Sequence, residues 1–366
     1  MPPDTPDIQL YSGDCIPGAA TYLRDESCDF FVSSIPFGSL FSYSHKLSDI
    51  GNNKDGVDMD EGQFGLHMRF FIEQLHRVMK PGCIVAIHVQ QLLCYKIQHG
   101  FMGMRDFCGA VVRLFKRHGF QPHGEFVIGK NPRQVARKNQ LHSLMFVTAS
   151  RDSRDLAPAM NDYVLLFKKP GTGGNPVRGI IETNKSVFLV EPSPIIEYHD
   201  GLTSSPGSKK VNKRVRANFR EIPYQVHQYD EETGAVSIET VTGGEHINQD
   251  GWFTKNDWVA SAHGTWTDIL EIDVLENWKQ AKDHQEEKHV CPLQLNVVRR
   301  LVKLYSSPGD TVDDWFSGIG TTAVVCVEQH RNFRGFELKE SYHRMGVANV
   351  AAARRERKQL NLWKDQ

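Results

Sequence analysis

The sequence predicts an α/β fold in which a mainly parallel sheet is covered by helices on both faces and interrupted by an inserted module. Three observations lead to this prediction. Short apolar strands alternate with amphipathic helices over residues 1–170, the alternation stops over residues 171–265, and it returns over residues 266–366. We therefore expect residues 1–170 and 266–366 to build one sheet together, and residues 171–265 to form a separate module.

Composition and charge narrow the class of protein. The 366 residues are 40% hydrophobic and 24% charged, which is typical of a globular chain. The N-terminus has no basic segment followed by an apolar run, and no stretch approaches the ~20 apolar residues of a membrane span, so we expect a cytoplasmic protein without a membrane partner. The seven cysteines never form a C-x-x-C pair, and the histidines lack metal-site spacing. We therefore expect reduced thiols and no bound metal.

The first 170 residues contain clear strand and helix signals. Phe64, Met68, Phe71, Leu75 and Val78 recur at intervals of three and four, which predicts an amphipathic helix ended by residues 80–82. Residues 39–60 have little periodicity and predict a loop. Further helices are predicted at 19–24 and 107–118, and strands at 8–12, 29–34, 83–89, 125–128 and 163–168.

The inserted module carries a basic patch. No acidic residue occurs between Leu202 and Arg220, and six basic residues crowd together there, namely Lys209, Lys210, Lys213, Arg214, Arg216 and Arg220. Short strand-like pieces are predicted at 186–190 and 236–240. The net charge of the chain is −1, so any binding to nucleic acid has to come from such a local patch. A solvated surface loop is the alternative interpretation.

A glycine-containing loop organises the C-terminal part. A strand ending at Asp314 is followed by Gly318 and Gly320, and Thr321 begins a helix whose free N–H groups favour electron-rich ligands. A second strand, 332–337, ends in Glu337, which is placed to bind the ribose hydroxyls of an adenosine cofactor. Further helices are predicted at 293–305 and 342–363. Too little chain follows Gly320 to complete a nucleotide-binding sheet, so earlier segments must supply the rest.

These motifs together resemble the DNA amino-methyltransferases of the β class, in which the catalytic motif precedes the cofactor motif. Residues 34–37, Ser-Ile-Pro-Phe, are similar to the family's Asp/Asn/Ser-Pro-Pro-Tyr/Phe motif, and residues 314–320 resemble its Asp-Pro-Phe-x-Gly-x-Gly loop. Pro292 belongs to a segment that resembles Lys-Pro-x-x-Leu. Residues 34–52 are similar to methylases often carried by phages. The resemblance implies a permuted, Rossmann-like methyltransferase sheet that depends on S-adenosylmethionine, with residues 171–265 as a target-recognition module.

The resemblance also implies roles for residues 34–37. The Ser34 hydroxyl and the Ile35 carbonyl would accept the two hydrogens of an exocyclic base amine, and Phe37 would stack on a base flipped out of the duplex. Pro36 biases Ile35 toward extended geometry. A serine at the first position is more common with cytosine N4 methylation, so the sequence favours cytosine N4 over adenine N6 without excluding the latter. Ile35 and Trp315 replace prolines of the family motifs, and we expect function to survive both replacements.

The resemblance further implies a cofactor site and partners. S-adenosylmethionine would be bound by Asp14, Pro292, Phe316, Gly318, Gly320, Thr321 and Glu337, although Asp14 is equally typical of a turn. Double-stranded DNA would be bound by the basic patch, with loops 133–138 and 39–60 as secondary candidates. The family needs no metal, is often dimeric and acts in the cytoplasm of bacteria or phage-infected cells, frequently in restriction-modification.

Three other functions compete with a DNA methylase. The altered residues 34–37 are consistent with a weakened relative that binds cofactor and DNA without turnover. The basic patch does not distinguish DNA from RNA, so an amino-methyltransferase of RNA stays open. A nicotinamide-dependent dehydrogenase is disfavoured, because no third glycine follows Gly320 at the fingerprint spacing.

Overall fold

The structure is a computed structural model that describes residues 5–38, 47–51, 59–94, 100, 103–133, 135, 150–152, 154, 159–171, 187–190, 224–229, 236–241, 260–277 and 293–364. The chain divides into two compact units. One unit comprises Met1–Pro176 and Gly264–Gln366, and the other comprises Val177–His263. The basic patch of residues 209–220 lies outside the described residues, as do Pro292 and most of loops 39–60 and 133–138.

The secondary structure alternates as the sequence predicts. The strands in chain order are β1 (Ile8–Ser12), β2 (Cys28–Ser34), β3 (Met79–Gln90), β4 (Leu92–Cys94), β5 (Gly103–Arg105), β6 (Gln121–Ile128), β7 (Asp162–Lys168), β8 (Val187–Val190), β9 (Tyr224–Tyr229), β10 (Val236–Val241), β11 (Thr265–Trp266), β12 (Thr311–Asp314) and β13 (Asn332–Glu337). The helices are α1 (Cys15–Tyr22), α2 (Gln63–Val78), α3 (Phe107–Arg117), α4 (Leu295–Tyr305), α5 (Thr321–Glu328) and α6 (Glu340–Lys364).

The first unit is built on an eight-stranded sheet with the order β1-β13-β12-β2-β3-β7-β6-β11. Five adjacent strands, β1, β13, β12, β2 and β3, run parallel to one another. Strand β7 is antiparallel to β3 and β6, and β11 is parallel to β6. The predicted mainly parallel α/β sheet is therefore confirmed. In its centre β12 pairs with β2, with Val312 opposite Phe30 and Asp313 opposite Phe31. Strands β2 and β12, which are far apart in the chain, therefore lie side by side and have their carboxyl ends on the same side of the sheet.

Helices cover both faces of this sheet, because successive side chains of a strand point to opposite faces. Phe31 of β2 belongs to a core cluster with α1, α2 and α3, whereas Phe30 and Val32 belong to a cluster with α4, α5 and α6. The five apolar residues whose spacing predicts α2 are fully buried, namely Phe64, Met68, Phe71, Leu75 and Val78, whereas Leu66 and Phe70 of the same helix are exposed. Burying each large apolar side chain contributes roughly 1.5–3 kcal/mol.

Several boundaries differ from the sequence prediction. The first helix begins at Cys15 rather than at residue 19, because the Asp14 side chain accepts a hydrogen bond from the Ile16 N–H (2.9 Å) and caps it. The strand predicted at 83–89 begins at Met79, so Pro81 and Gly82 lie within β3 instead of ending a helix. Strands β4, β5, β9 and β11 were not predicted, since each is short or lacks a clear alternation.

The second unit contains a three-stranded antiparallel sheet with β9 between β8 and β10. In the described parts of the whole chain, no helix is long and apolar enough to cross a membrane. The same residues contain no group of three or more His, Cys, Asp or Glu side chains that could hold a metal ion.

Candidate active site

A cavity opens at the carboxyl ends of β1, β2, β12 and β13. It lies where the strand order reverses, since β12 leads outward to β13 and β2 leads outward to β3. Ligands of open α/β sheets bind at this kind of crevice. Its lining includes residues from all four strand ends, among them Gly13, Asp14, Ser34, Pro36, Asp314, Phe316, Gly318, Thr321 and Glu337. The first unit therefore brings predicted catalytic and cofactor-binding residues to one place.

The two predicted glycines of the loop after β12 have different surroundings. Both have left-handed backbone conformations, with φ +54° at Gly318 and φ +88° at Gly320. A Cβ at Gly318 would meet nothing within 4 Å, and this residue lines the cavity. A Cβ at Gly320 would lie 3.0 Å from the Gly346 Cα on α6. Gly320 does not line the cavity; it allows α5 to begin close against α6.

The Glu337 carboxylate lies at the cavity at the end of β13. It accepts hydrogen bonds from the backbone N–H groups of Gly318 and Lys339, each at 2.8 Å. Burial raises the pKa of Glu337 to about 7, although these two N–H donors lower it. Each carboxylate oxygen has two lone pairs, so the group can still accept hydrogen bonds from ligand hydroxyls.

Asp314 links the predicted cofactor loop to Ser33, the residue that precedes the predicted catalytic motif. Its buried carboxylate accepts hydrogen bonds from the hydroxyls of Ser33 and Thr322, both at 2.6 Å, and from the Phe316 N–H at 3.1 Å. Burial raises the pKa of Asp314 to about 6. Sequence reasoning missed Ser33, whose link to Asp314 spans 281 residues of chain and depends on the pairing of β2 with β12.

Trp315, which replaces a proline of the family motif, is a core residue as well as part of the cavity lining. Its ring packs edge-on against Phe31 (5.7 Å), Phe71 (5.6 Å) and Phe336 (6.1 Å). Its indole Nε1–H donates to Asp313 Oδ2 at 3.3 Å, so the buried polar atom has a partner. The aromatic surroundings therefore accommodate this departure from the motif.

Ser34 ends β2 and begins a line of polar side chains. Its Oγ lies 2.9 Å from His88 Nδ1 on β3, and His88 Nε2 lies 3.3 Å from Asp162 Oδ2 on β7. Lys130 Nζ lies 2.6 Å from the same Asp162 oxygen. Burial opposes ionisation of Asp162, but His88 and Lys130 outweigh it and hold the pKa of Asp162 below its ordinary value. Sequence reasoning missed these three partners, because they meet only through strand register.

The remaining residues predicted for catalysis and cofactor binding lie near this cavity, except Pro292, which lies outside the described residues together with the basic patch. Ile35 is buried in the core, and Pro36 lines the cavity. The half-buried Phe37 ring lies 5.8 Å from Phe107 and 6.2 Å from His88. Asp14 both caps α1 and lines the cavity.

Comparison with protein families identifies the chain. A model described as "DNA methylase", which covers N6 and N4 methyltransferases, matches residues 28–348. The chain belongs to this DNA methylase family. The predicted membership of the N4/N6 amino-methyltransferases is therefore confirmed, whereas the similarity to phage methylases stays a prediction.

Curated relatives of this DNA methylase align over shorter segments. Type II methyltransferase M.BglI of Bacillus subtilis is 37% identical over 73 residues, covering 20% of this chain and 21% of the relative. Type II methyltransferase M1.MboII of Moraxella bovis is 25% identical over 157 residues, covering 40% of this chain and 56% of the relative. The chain thus spans from about a fifth to about half the length of these relatives.

A solved structure shares the fold of the DNA methylase along nearly its whole length. TTHA0409 of Thermus thermophilus, complexed with S-adenosyl-L-methionine, superposes with a TM-score of 0.54 at 16% identity. The match covers 95% of this chain and 96% of TTHA0409. At this identity the likeness concerns the fold, and it confirms the predicted Rossmann-like methyltransferase architecture.

Proposed function

We propose that this DNA methylase transfers a methyl group from S-adenosylmethionine to an exocyclic amine of a base flipped out of double-stranded DNA. The observation that carries the proposal is the pairing of β2 with β12. This pairing places Ser34 of the Ser-Ile-Pro-Phe motif and the loop of Phe316 and Gly318 on the same cavity. A methyl acceptor bound beside Ser34 would therefore lie next to a methyl donor bound beside the loop.

The cavity fits the proposed methyl donor. The donor supplies an electrophilic methyl group on a sulfonium sulfur. Glu337 can accept the ribose hydroxyls, because its carboxylate lies at the cavity and retains free lone pairs. The absence of a Cβ at Gly318 leaves room for close approach, and Asp14, Phe316 and Thr321 complete the proposed contacts. A contribution of Pro292 to this site stays a prediction.

Ser34 and Ile35 would prepare the amine. The lone pair of an exocyclic amine is delocalised into the base, which makes the nitrogen a poor nucleophile. Hydrogen bonds from the amine to the Ser34 hydroxyl and the Ile35 carbonyl would make this nitrogen more tetrahedral and direct its lone pair toward the methyl donor. Pro36 would keep that carbonyl in place, and the half-buried Phe37 would stack on the flipped base.

The finer aspects of the proposal rest on the sequence. Ser34 favours cytosine N4 as the target over adenine N6. The basic residues Lys209 to Arg220 would neutralise DNA phosphates, which makes the second unit the proposed target-recognition module. A homodimer and a cytoplasmic location are further elements of the proposal.

Mass spectrometry of nucleosides tests this function. DNA is incubated with methyl-labelled S-adenosylmethionine and the wild type, Ser34→Ala, or the control Thr21→Ala on α1. We expect labelled N4-methylcytosine from the wild type and the control, and a loss of at least about 10²-fold in Ser34→Ala, a size typical for removal of one transition-state hydrogen bond.

Other outcomes would change the proposal. Labelled N6-methyladenine would correct the target base, and label found in RNA alone would correct the substrate. No modified nucleoside despite intact cofactor binding would favour the weakened, non-catalytic relative.

A further inference from the structure

The polar residues behind Ser34 have no assigned role in the reaction described above. His88, Asp162 and Lys130 come from three different segments, namely β3, β7 and the residues that follow β6. Neighbouring strands bring them together, since Ser34 is paired with His88 across β2 and β3, and Asp162 is paired with Gln90 of β3 and Ile128 of β6. His88 itself is opposite Val164, two residues from Asp162 on β7, so both side chains point to the same face.

These residues are buried, and burial makes their charges costly. His88 is 8% exposed and Asp162 is 7% exposed, while the Lys130 side chain is 12% exposed. A buried charge is destabilising unless a partner compensates it. Lys130 and His88 both approach the same Asp162 oxygen, so Asp162 is held ionised beneath the imidazole. Such pairing close to a cavity indicates a functional arrangement.

The carboxylate favours one nitrogen of His88 as the site of the ring hydrogen through its charge, since Nε2 lies 3.3 Å from Asp162 but outside hydrogen-bond geometry. An ionised carboxylate is only an acceptor, so Asp162 favours a hydrogen on Nε2, the atom that faces it at 3.3 Å. His88 Nδ1 is then a bare acceptor, and the Ser34 hydroxyl 2.9 Å away donates to it. As a result Ser34 Oγ presents only lone pairs to the cavity, which is the state needed to accept hydrogens from an amine.

We propose that His88 orients the Ser34 hydroxyl and takes up, through it, the proton that leaves the methylated amine. This inference rests on the proposed function. In the transfer, the nitrogen–carbon bond forms as the carbon–sulfur bond breaks, and the nitrogen becomes positively charged. The amine passes a proton to Ser34 Oγ while the Ser34 hydrogen moves to His88 Nδ1. The products on the protein side are a neutral, methylated amine of the base, a neutral serine and an imidazolium that faces Asp162. The imidazolium later releases its proton to solvent.

The charges around His88 fit this sequence of proton movements. In the described part of the chain, the charged groups that face His88 are Asp162 from β7 and, behind it, Lys130. The Phe37 ring, 6.2 Å away, belongs to the motif that would hold the base. Asp162 would compensate the charge of the imidazolium, and Lys130 compensates the charge of Asp162 when His88 is neutral.

Single-turnover methylation separates a proton acceptor from a structural residue. The variants are His88→Ala, which removes the acceptor, and His88→Asn, whose amide can accept from Ser34 but cannot take up a proton. His118→Asn is the control, because the one hydrogen bond seen for the His118 ring joins its Nδ1 to the Leu114 carbonyl at the end of α3, away from Ser34. Cofactor affinity, measured by calorimetry, checks that each variant is folded and loaded.

We expect His88→Ala to lower the single-turnover rate by on the order of 10²-fold with unchanged cofactor affinity, and added imidazole to restore part of it. His88→Asn should be intermediate, and its rate should depend less on acid pH than the rate of the wild type. The control should behave as the wild type. Wild-type rates and pH profiles in both His88 variants would overturn the proposal.

A second measurement needs neither cofactor nor activity. ¹⁵N NMR of the histidine-labelled wild type, with the His88 signals identified by their loss in His88→Asn, reports where the ring hydrogen lies. We expect it on Nε2, and Asp162→Asn should shift the balance toward Nδ1. A hydrogen on Nδ1 in the wild type would overturn the inference even if the enzyme is active. A wild type that methylates neither DNA nor RNA would overturn the proposed function and this proposal with it.

Discussion

Two regions beside Ser34 hold buried carboxylates in opposite ways, namely the cavity and the group of His88, Asp162 and Lys130, which lies behind Ser34 and outside the cavity lining. At the ends of β12 and β13, Asp314 and Glu337 accept hydrogen bonds from hydroxyls and backbone N–H groups, and burial raises their pKa values to about 6 and about 7. At the ends of β3 and β7, Asp162 faces an imidazole and an ammonium group, which lower its pKa despite its burial. The partner rather than the depth of burial decides the protonation state.

The two regions also differ in what shapes them. The cavity is shaped by backbone at the loop after β12, with positive φ angles at Gly318 and Gly320 and main-chain donors to Glu337. The group behind Ser34 is formed by side chains that contact each other across strands. A change in backbone conformation should therefore damage the cavity, while a change in charge should damage the group behind Ser34.

Replacement of Gly320 by alanine should have the largest effect, a loss of folding stability. We expect Gly320→Ala to lower the free energy of unfolding by about 3 kcal/mol, because it adds a strained left-handed residue and a Cβ at 3.0 Å from Gly346. Gly318→Ala is the matched control, with the same type of strain and open space around its Cβ, and should lose about 1 kcal/mol. Urea denaturation measures both, and equal losses would show that the contact with α6 is unimportant.

Removal of the Glu337 carboxylate should have the second-largest effect, a weaker binding of the proposed cofactor. We expect Glu337→Ala to reduce the affinity for S-adenosylmethionine by about 30-fold, or ~2 kcal/mol, because hydrogen bonds to a charged acceptor are lost. Glu340→Ala is the control, since Glu340 is exposed at the start of α6 and outside the cavity lining. Calorimetric titration gives both affinities. A wild-type affinity in Glu337→Ala would mean that the ribose is bound elsewhere.

The smallest expected effect is a difference between Glu337 at the cavity and Asp162 behind Ser34 in how stability depends on pH. Between the ordinary pKa of about 4.3 and the folded value of about 7, folded Glu337 binds more protons than unfolded Glu337, so stability falls as pH rises. Glu337→Gln should make this slope shallower by up to about 1.4 kcal/mol per pH unit.

Asp162 should act with the opposite sign. Its pKa is lowered in the folded protein, so its contribution is present above about pH 3.9 and is lost as pH falls through the folded value. Asp162→Asn should leave the slope near neutral pH unchanged and remove part of the acid-induced loss. Denaturation at a series of pH values measures both variants, and slopes of the same sign would contradict the contrast.

Much of the fold follows from local signals in the sequence. The strands β1 and β13 coincide with the predictions at 8–12 and 332–337, and α2 follows the spacing of its apolar residues. The errors arose where local signals conflict with tertiary pairing. Pro81 and Gly82 are typical of a helix end, yet β3 continues through them beside β2.

The site was predictable only where a motif names its residues. Ser34 and Glu337 end strands that the sequence predicts, and both lie at the cavity. His88, Asp162 and Lys130 belong to no motif, and their contact depends on the register of four strands, which chain order does not specify. The surroundings of Gly320 were also unpredictable, because its neighbour Gly346 belongs to a separate helix.

The central pairing of β12 with β2 also bears on how the protein is made. The ribosome synthesises β2 first and β12 roughly 280 residues later, so the middle of the sheet cannot close until β12 has been made. Contacts between such distant segments slow folding, because a long loop must be ordered before they form. Until then the edge of β2 is open to chaperones or to aggregation. The hydrogen bond between Ser33 and Asp314 can therefore form only after both strands have been synthesised.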